Sequence, residues 1–169
     1  MSVEFKNGMC DVLNQLMLDI VIDKTDDKET EFSITIEGEE ENYYLDIYVL
    51  SDGVTFQQDL FNLGQQYYKY DDSASVETNI NDCKKGLKQL IESMIETFNK
   101  EVITPINKRF DGQDILEVIA DYDTEQMNKL DQELYKTAPN INNQNSIVCM
   151  YLNQCKILET LNGIIEVLK

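Results

Sequence analysis

Histidine does not occur in this 169-residue chain. Its absence removes the usual general base near neutral pH and the commonest transition-metal ligand. Ser–His–Asp and Cys–His catalysis are excluded with it. Tryptophan is missing as well, so Phe, Tyr, Leu and Ile must carry the packing. Glycine (7) and proline (2) are scarce, which disfavours a turn-rich all-β fold and favours helices. The glycines stand alone and none leads into a Gly-Lys-Ser or Gly-Lys-Thr, so phosphate-cradling loops are not expected. Cysteine is sparse and dispersed, at Cys10, Cys83, Cys149 and Cys155. That pattern is no disulfide framework and suits reduced thiols in a cytosol. Cys149 and Cys155 are the nearest pair, but structural zinc wants two pairs with ligands about two to four residues apart.

Cations are the next shortage. Lys and Arg total 14 against 32 Asp and Glu, a net charge of −18. A small domain needs a magnitude of only about 2–8 for solubility, and the excess costs stability through self-repulsion. Nucleic acid and anionic membranes would be repelled, so neither is expected as a direct partner. A basic macromolecule or a divalent cation is the natural complement. Met1–Cys10 lacks a basic segment followed by a long apolar run, so no signal peptide is expected. No stretch reaches the roughly 18–20 apolar residues of a membrane span. The expected location is cytoplasmic, in a bacterial host cell.

What is present is a 42% hydrophobic content, enough for a core without disulfides. Phe5, Met9, Val12, Leu13, Leu16 and Ile20 recur at helical spacing and predict a helix over Val3–Ile22. Asp23–Glu31 is charged and reads as a loop. The period then drops to two. Phe32, Ile34 and Ile36 mark one strand, Tyr43–Leu50 a second, and Val54–Gln58 a third after the Ser51-Asp52-Gly53 turn. The Glu39-Glu40-Glu41 run is expected to protect a sheet edge by repulsion. Asp59–Tyr70 reads as a short helix or an irregular segment, and Asp71–Ser75 as a loop ending in a helix cap.

Beyond Ser73 the helical period dominates. Val76–Phe98 carries a near-heptad stripe that Pro105 should end or kink. Further helices are predicted over about Gln113–Lys136 and Ser146–Leu168, separated by Pro139 and the asparagine run Asn140–Asn145. The fold expected is a single α+β domain. An N-terminal helix and a three-stranded antiparallel sheet (residues 1–72) pack against about three long helices (residues 73–169).

Chemical motifs fall short. Asp121-Tyr122-Asp123-Thr124-Glu125 has the alternating carboxylates of a calcium loop. Gln126 stands where Gly is needed, however, and Gln132 where a bidentate Glu should close the site. A helix start near Asp123 explains the segment better. Acid-x-lysine triplets at Glu4, Asp26 and Asp82 lie off the predicted strands and arise readily in so acidic a chain. No cofactor, no metal site and no enzymatic activity are expected. A metal-dependent hydrolase remains an alternative.

Two acidic regions stand out instead. One lies around Glu39, Glu40 and Glu41. In the other, Asp114, Glu117, Asp121 and Glu125 follow steps of three and four and are expected to share one helix face without interleaved lysine. Such an array resembles a nucleic-acid backbone electrostatically and suits a basic cleft. The predicted partner-binding residues are Glu39, Glu40, Glu41, Asp114, Glu117 and Asp121, with Tyr43 and Tyr44 as anchors. Tyr67 and Tyr68 are further anchor candidates, and ordinary packing is expected to claim at least two of these four tyrosines. In composition the chain resembles phage-encoded anti-defence proteins, anti-CRISPR proteins among them, and antitoxins that cap a basic toxin. No motif carries the resemblance. It implies an inhibitor of a nuclease or other nucleic-acid-binding protein. The near-heptad stripe offers a second alternative, a homodimeric structural or adaptor protein.

Overall fold

The computed structural model describes residues 3–15, 20–26, 29–38, 41–50 and 52–169. An N-terminal helix, α1 (Val3–Asn14), precedes five strands: β1 (Ile20–Asp26), β2 (Glu29–Ile36), β3 (Tyr43–Val49), β4 (Gly53–Gln58) and β5 (Gln66–Lys69). Each strand runs antiparallel to the one before it, and the sheet order is β1-β2-β3-β4-β5. The remainder is helical: α2 (Val76–Phe98), a π-helical turn at Asn99–Ile103, α3 (Thr104–Arg109), α4 (Ile115–Ile119), α5 (Thr124–Tyr135), α6 (Ile147–Leu152) and α7 (Gln154–Val167). The α+β architecture expected from the sequence is therefore the one formed.

Alternation decides which sheet face is buried. Phe32, Ile34 and Ile36 of β2, Leu45, Ile47 and Val49 of β3, and Val54 and Phe56 of β4 all point into the core. Helices close over them. Phe5, Met9 and Leu13 of α1 are buried, at about 1.5–3 kcal/mol per large side chain. The Phe5 ring meets Tyr70 edge-on at 5.0 Å and stacks on Tyr68 at 6.5 Å. Gly8 lets α1 approach α2 closely, since a Cβ there would collide with Ile80. Cys83, Leu87, Leu90, Ile91, Met94 and Phe98 form the inner stripe of α2. One continuous core joins the sheet to these helices and to Ile157, Leu161 and Ile164 of α7.

Several boundaries differ from the sequence expectation, each for a physical reason. The first helix stops at Asn14, and Ile20–Ile22 belong to β1 rather than to a longer helix. Three consecutive β-branched residues prefer the pleated chain. Asp23–Glu31, expected as a loop, instead contains the end of β1 and the start of β2. Asp59–Tyr70 holds the edge strand β5, so the sheet among the described residues has five strands, not three. The edges are β1 and β5, whereas Glu41 lies in the connection between two inner strands, β2 and β3. Glu41 is therefore not placed to guard an edge, and Glu39 and Glu40 lie outside the described residues.

Pro105 does not end the long helix. The backbone widens into a π turn, in which Thr104 N–H donates to the Asn99 carbonyl five residues back, and α3 continues with Pro105 in its first turn. Such a turn is a known way to absorb a missing donor inside a helical run. The predicted Gln113–Lys136 helix is two helices, broken between Ile119 and Thr124 where Asp123 and Gln126 form a capping box. The last helix is also divided, at Asn153, after Ser146 caps α6 as its position suggested.

The asparagine run is an ordered clasp rather than a simple break. Phe61 and Ile141 form an antiparallel bridge, and Asn62 N–H donates to the Asn140 carbonyl at 2.6 Å. Asn145 reaches back through its amide to the Asp59 carbonyl at 2.8 Å. The helical half is thus tied to the end of β4 through backbone groups.

Candidate binding surface

The predicted acidic residues do not form one site. Glu39 and Glu40 lie outside the described residues. Glu41 is half-buried, and its Oε1 accepts the Tyr43 hydroxyl at 3.3 Å. Tyr43 is fully buried at the start of β3, so it belongs to the core and is not an exposed anchor. Burial, with Glu41 beside it, pushes its phenol far above the usual tyrosine range. Tyr44, its neighbour on the opposite face, is 40% exposed.

On the helical side the expected row is interrupted. Asp114 caps α4, its side chain accepting from Leu116 N–H at 3.0 Å. Glu117 is exposed on α4, and Asp121 is exposed in the turn after it. Glu125 opens α5 and pairs with Lys129 at 3.3 Å. Asp114, Glu117, Asp121 and Glu125 therefore do not share one continuous helix face, because the capping box at Asp123 restarts the helix. Asp123 spends its carboxylate on the Gln126 N–H at 2.8 Å. Among the described residues, no group of three or more His, Cys, Asp and Glu side chains is placed to hold a metal ion.

Two cavities border the helices. One, of about 290 Å³, lies between the β5 edge and α2 and is lined by Phe56, Leu63, Tyr67, Tyr68, Gly86 and Leu90 among others. The other, of about 330 Å³, lies between α5 and α6 and is lined by Asp131, Ser146 and Cys149 among others. Asp131 and Ser146 are engaged in structure there. Asp131 accepts Ser146 Oγ at 2.6 Å and Val148 N–H at 3.1 Å, which fixes the start of α6. Neither cavity brings together a nucleophile, a base and an oxyanion donor.

The open face of the sheet is what the sequence search did not assemble. Opposite the core, β2 presents Glu31, Ser33 and Thr35, β3 presents Tyr44, Asp46 and Tyr48, and β5 presents Tyr67. Register places Glu31 beside Tyr48, Ser33 beside Asp46, and Tyr48, Thr55 and Tyr67 in one cross-strand row. Ser33 Oγ donates to Asp46 Oδ1 at 2.6 Å. Partial burial, then Asp46 and Glu31, hold the Tyr48 phenol above its ordinary value. Tyr67 is 50% exposed, with its hydroxyl donating to the Asp52 carbonyl at 3.2 Å. Tyr68 turns the other way, its hydroxyl donating to Asn79 Oδ1 at 2.9 Å. Of the four tyrosines singled out in the sequence, Tyr44 and Tyr67 face outward while Tyr43 and Tyr68 pack inward. The period-two alternation that buries Phe32, Leu45 and Ile47 was the available signal for Glu31, Asp46 and Tyr48 on the far side.

The near-heptad stripe of α2 is spent inside the molecule, because Cys83, Leu87, Leu90, Met94 and Phe98 are all buried. Among the described residues, no helix is long and apolar enough to cross a membrane. Comparison of the chain with protein-family models, curated proteins and solved structures finds no match.

Proposed function

We propose that this protein is a binding protein that engages a basic surface of a nucleic-acid-handling protein, inhibiting it by presenting carboxylates where phosphates would otherwise sit. The observation that carries the reading is the placement of its charge. Even complete one-to-one pairing of the 14 cations with the 32 acids would leave 18 carboxylates without a partner. Among the residues whose burial is described, Glu101 and Asp131 are the buried acids, and the other acids of that set reach the surface. Ion pairs among the described residues, such as Arg109–Glu133 at 2.6 Å and Lys156–Glu37 at 3.4 Å, are exposed and neutralise little of the field. A molecule with this field attracts cationic grooves and repels phosphate.

The test is affinity capture from a bacterial lysate at low salt, followed by elution with rising salt and, separately, with duplex DNA. A nuclease, polymerase or other basic protein released by both eluents supports mimicry, because the DNA competes for the same groove. The binding constant of that purified partner should fall linearly on a log–log plot against salt, as counterion release requires. A partner held through high salt and indifferent to DNA would remove the proposal.

A further inference from the structure

The acidic surface is not uniform. On the open sheet face the strand β3 sets Tyr44, Asp46 and Tyr48 side by side, since residues two apart share a face. Each ring starts about 6.6 Å along the strand from Asp46, twice the rise per residue. Glu31 lies directly across from Tyr48, and Tyr67 continues the row beyond Thr55. Carboxylates and aromatic rings therefore alternate over one face, with Asp46 braced by Ser33.

Three occupants can be weighed by charge. A second copy would bring another chain of net charge −18 and set acid against acid across a flat sheet. A nucleic acid or an anionic membrane would be repelled by the same field. A cationic protein segment is the complementary occupant, and the rings discriminate between cations. A lysine ammonium is a compact, strongly hydrated point charge. An arginine guanidinium is planar, forks onto a carboxylate with two hydrogen bonds, and stacks on an aromatic face. A guanidinium on Asp46 has both flanking rings within reach of cation–π contact.

We propose that the partner docks on this face of the sheet and does so through arginine side chains, seated on Asp46 and Glu31 beside the rings of Tyr44 and Tyr48. The inference rests on the reading of the protein as a binder of a basic partner, and it names the face and the cation within that reading. The helix-side acids Asp114, Glu117 and Asp121 lack this arrangement, so they contribute attraction without preference.

The probes are a nona-arginine and a nona-lysine peptide of equal charge, titrated at low salt by calorimetry against the whole chain. Tyrosine fluorescence gives a second readout because the chain has no tryptophan. The arginine peptide is expected to bind about fivefold to tenfold tighter, the sum of modest cation–π contacts at an exposed site. The double variant Y44A/Y48A should erase that preference while leaving the lysine affinity nearly unchanged. Both rings are outside the core, and unchanged circular dichroism would confirm the fold. D46N, which keeps an oxygen for Ser33, should weaken the arginine peptide more than the lysine peptide. E117Q/D121N should weaken both equally. Equal affinity for the two peptides, or a preference that survives Y44A/Y48A and D46N, overturns the sheet-face proposal and leaves the broader charge reading standing. Failure of both peptides to bind at low salt removes both.

Discussion

The carboxylate of Glu101 is held at both oxygens by one residue: Asn140 donates its backbone N–H to Oε2 at 2.9 Å and its side-chain amide to Oε1 at 2.8 Å. Glu101 is only 2% exposed and sits in the π turn that follows α2, while Asn140 opens the asparagine clasp. A buried carboxyl group is thus satisfied by neutral donors, and the pair ties α2 to the segment that grips Phe61 and Asn62.

Removing the side-chain donor should be costly. N140A leaves Oε1 without that partner and is expected to destabilise the fold by about 1–3 kcal/mol, the cost of leaving a buried polar group unsatisfied. Urea unfolding would show a lower midpoint with an unchanged slope. Because Asn140 contributes no side chain to the sheet face, peptide binding by the folded variant should stay as in the parent chain. A midpoint within error of the parent would contradict the geometry.

Asn79 offers a sharper test, because its donors and acceptor can be removed separately. The side chain is 0% exposed. Its Oδ1 accepts from Tyr68 Oη at 2.9 Å and from Asp71 N–H at 2.8 Å. Its amide donates to the carbonyls of Asp71 and Ser75, each at 2.9 Å. The residue welds β5 to the first turn of α2. N79D keeps the acceptor but turns a carboxylate toward two carbonyls, so its charged form is penalised in the fold. The introduced acid has a raised folded-state pKa, and its stability contribution is present at low pH and lost as pH rises through that value. The expected result is a loss of about 2 kcal/mol or more at neutral pH, the cost of a buried unsatisfied group. The loss should shrink toward pH 4, near the unfolded value of about 3.9. N79A should lose stability without that pH dependence. Parallel pH profiles for the two variants would refute the assignment of the amide.

Much of this architecture is legible in the chain, and what is not has identifiable causes. α2 runs from Val76 to Phe98 as its spacing implies, because a long amphipathic stripe with a Ser75 cap admits no competing period. The central strands β2, β3 and β4 follow from clean alternation. β1 was hidden because Ile20 continues the helical spacing of Met9 and Leu13, although Ile20-Val21-Ile22 carries a β-branched signal. β5 is four residues at a sheet edge, too short for periodicity to speak. The Asp123 capping box was visible as a helix start, yet the acidic spacing across Asp114–Glu125 suggested continuity. The open sheet face was readable residue by residue. It was not readable as a surface, because strand register decides which side chains become neighbours.

The thiols should report the fold in order of exposure. Cys155 is exposed, Cys10 and Cys149 are half-buried, and Cys83 is fully buried in α2 with its thiol pushed up to about 12. Only the thiolate reacts, so Cys83 is protected twice, by burial and by protonation. Under native conditions a disulfide reagent should label Cys155 first. Cys83 should react at least about 10³-fold more slowly, because it waits for an opening comparable to global unfolding. Mass mapping of labelled peptides over time would establish the order. Denaturant near the midpoint should abolish the gap, and rapid native labelling of Cys83 would show that α2 is not packed as described.

The charge that equips the surface for binding also works against the fold, and pH should expose the conflict. Asp59 is held above its ordinary value of 3.8, chiefly by partial burial and opposed by the hydrogen bond from Tyr44 N–H, with Asp46 and Glu41 adding to the rise. A carboxyl raised in the folded state favours that state when protonated. Its contribution is complete below 3.8 and is lost as pH climbs through the folded-state value. Relief of self-repulsion among the surface acids acts in the same direction as they begin to protonate. Melting temperature should therefore rise as pH is lowered from neutrality toward about 5, within the range where stability maxima tend to fall. About 1 M NaCl, which shortens screening to roughly 3 Å, should raise it at neutral pH and do less near pH 5. D59N preserves an acceptor for the Tyr44 N–H, observed at 2.8 Å, and removes the charge. It should melt higher than the parent at neutral pH and converge with it below 3.8, where the parent residue is protonated in both the folded and the unfolded chain. The gain should be small because Asp59 keeps part of its surface in water. A melting temperature that falls steadily from neutral pH to 5, with no response to salt, would mean that native acid pairs outweigh the repulsion and that the surface carboxylates are already neutralised. That result would also take away the cationic partner's reason to bind.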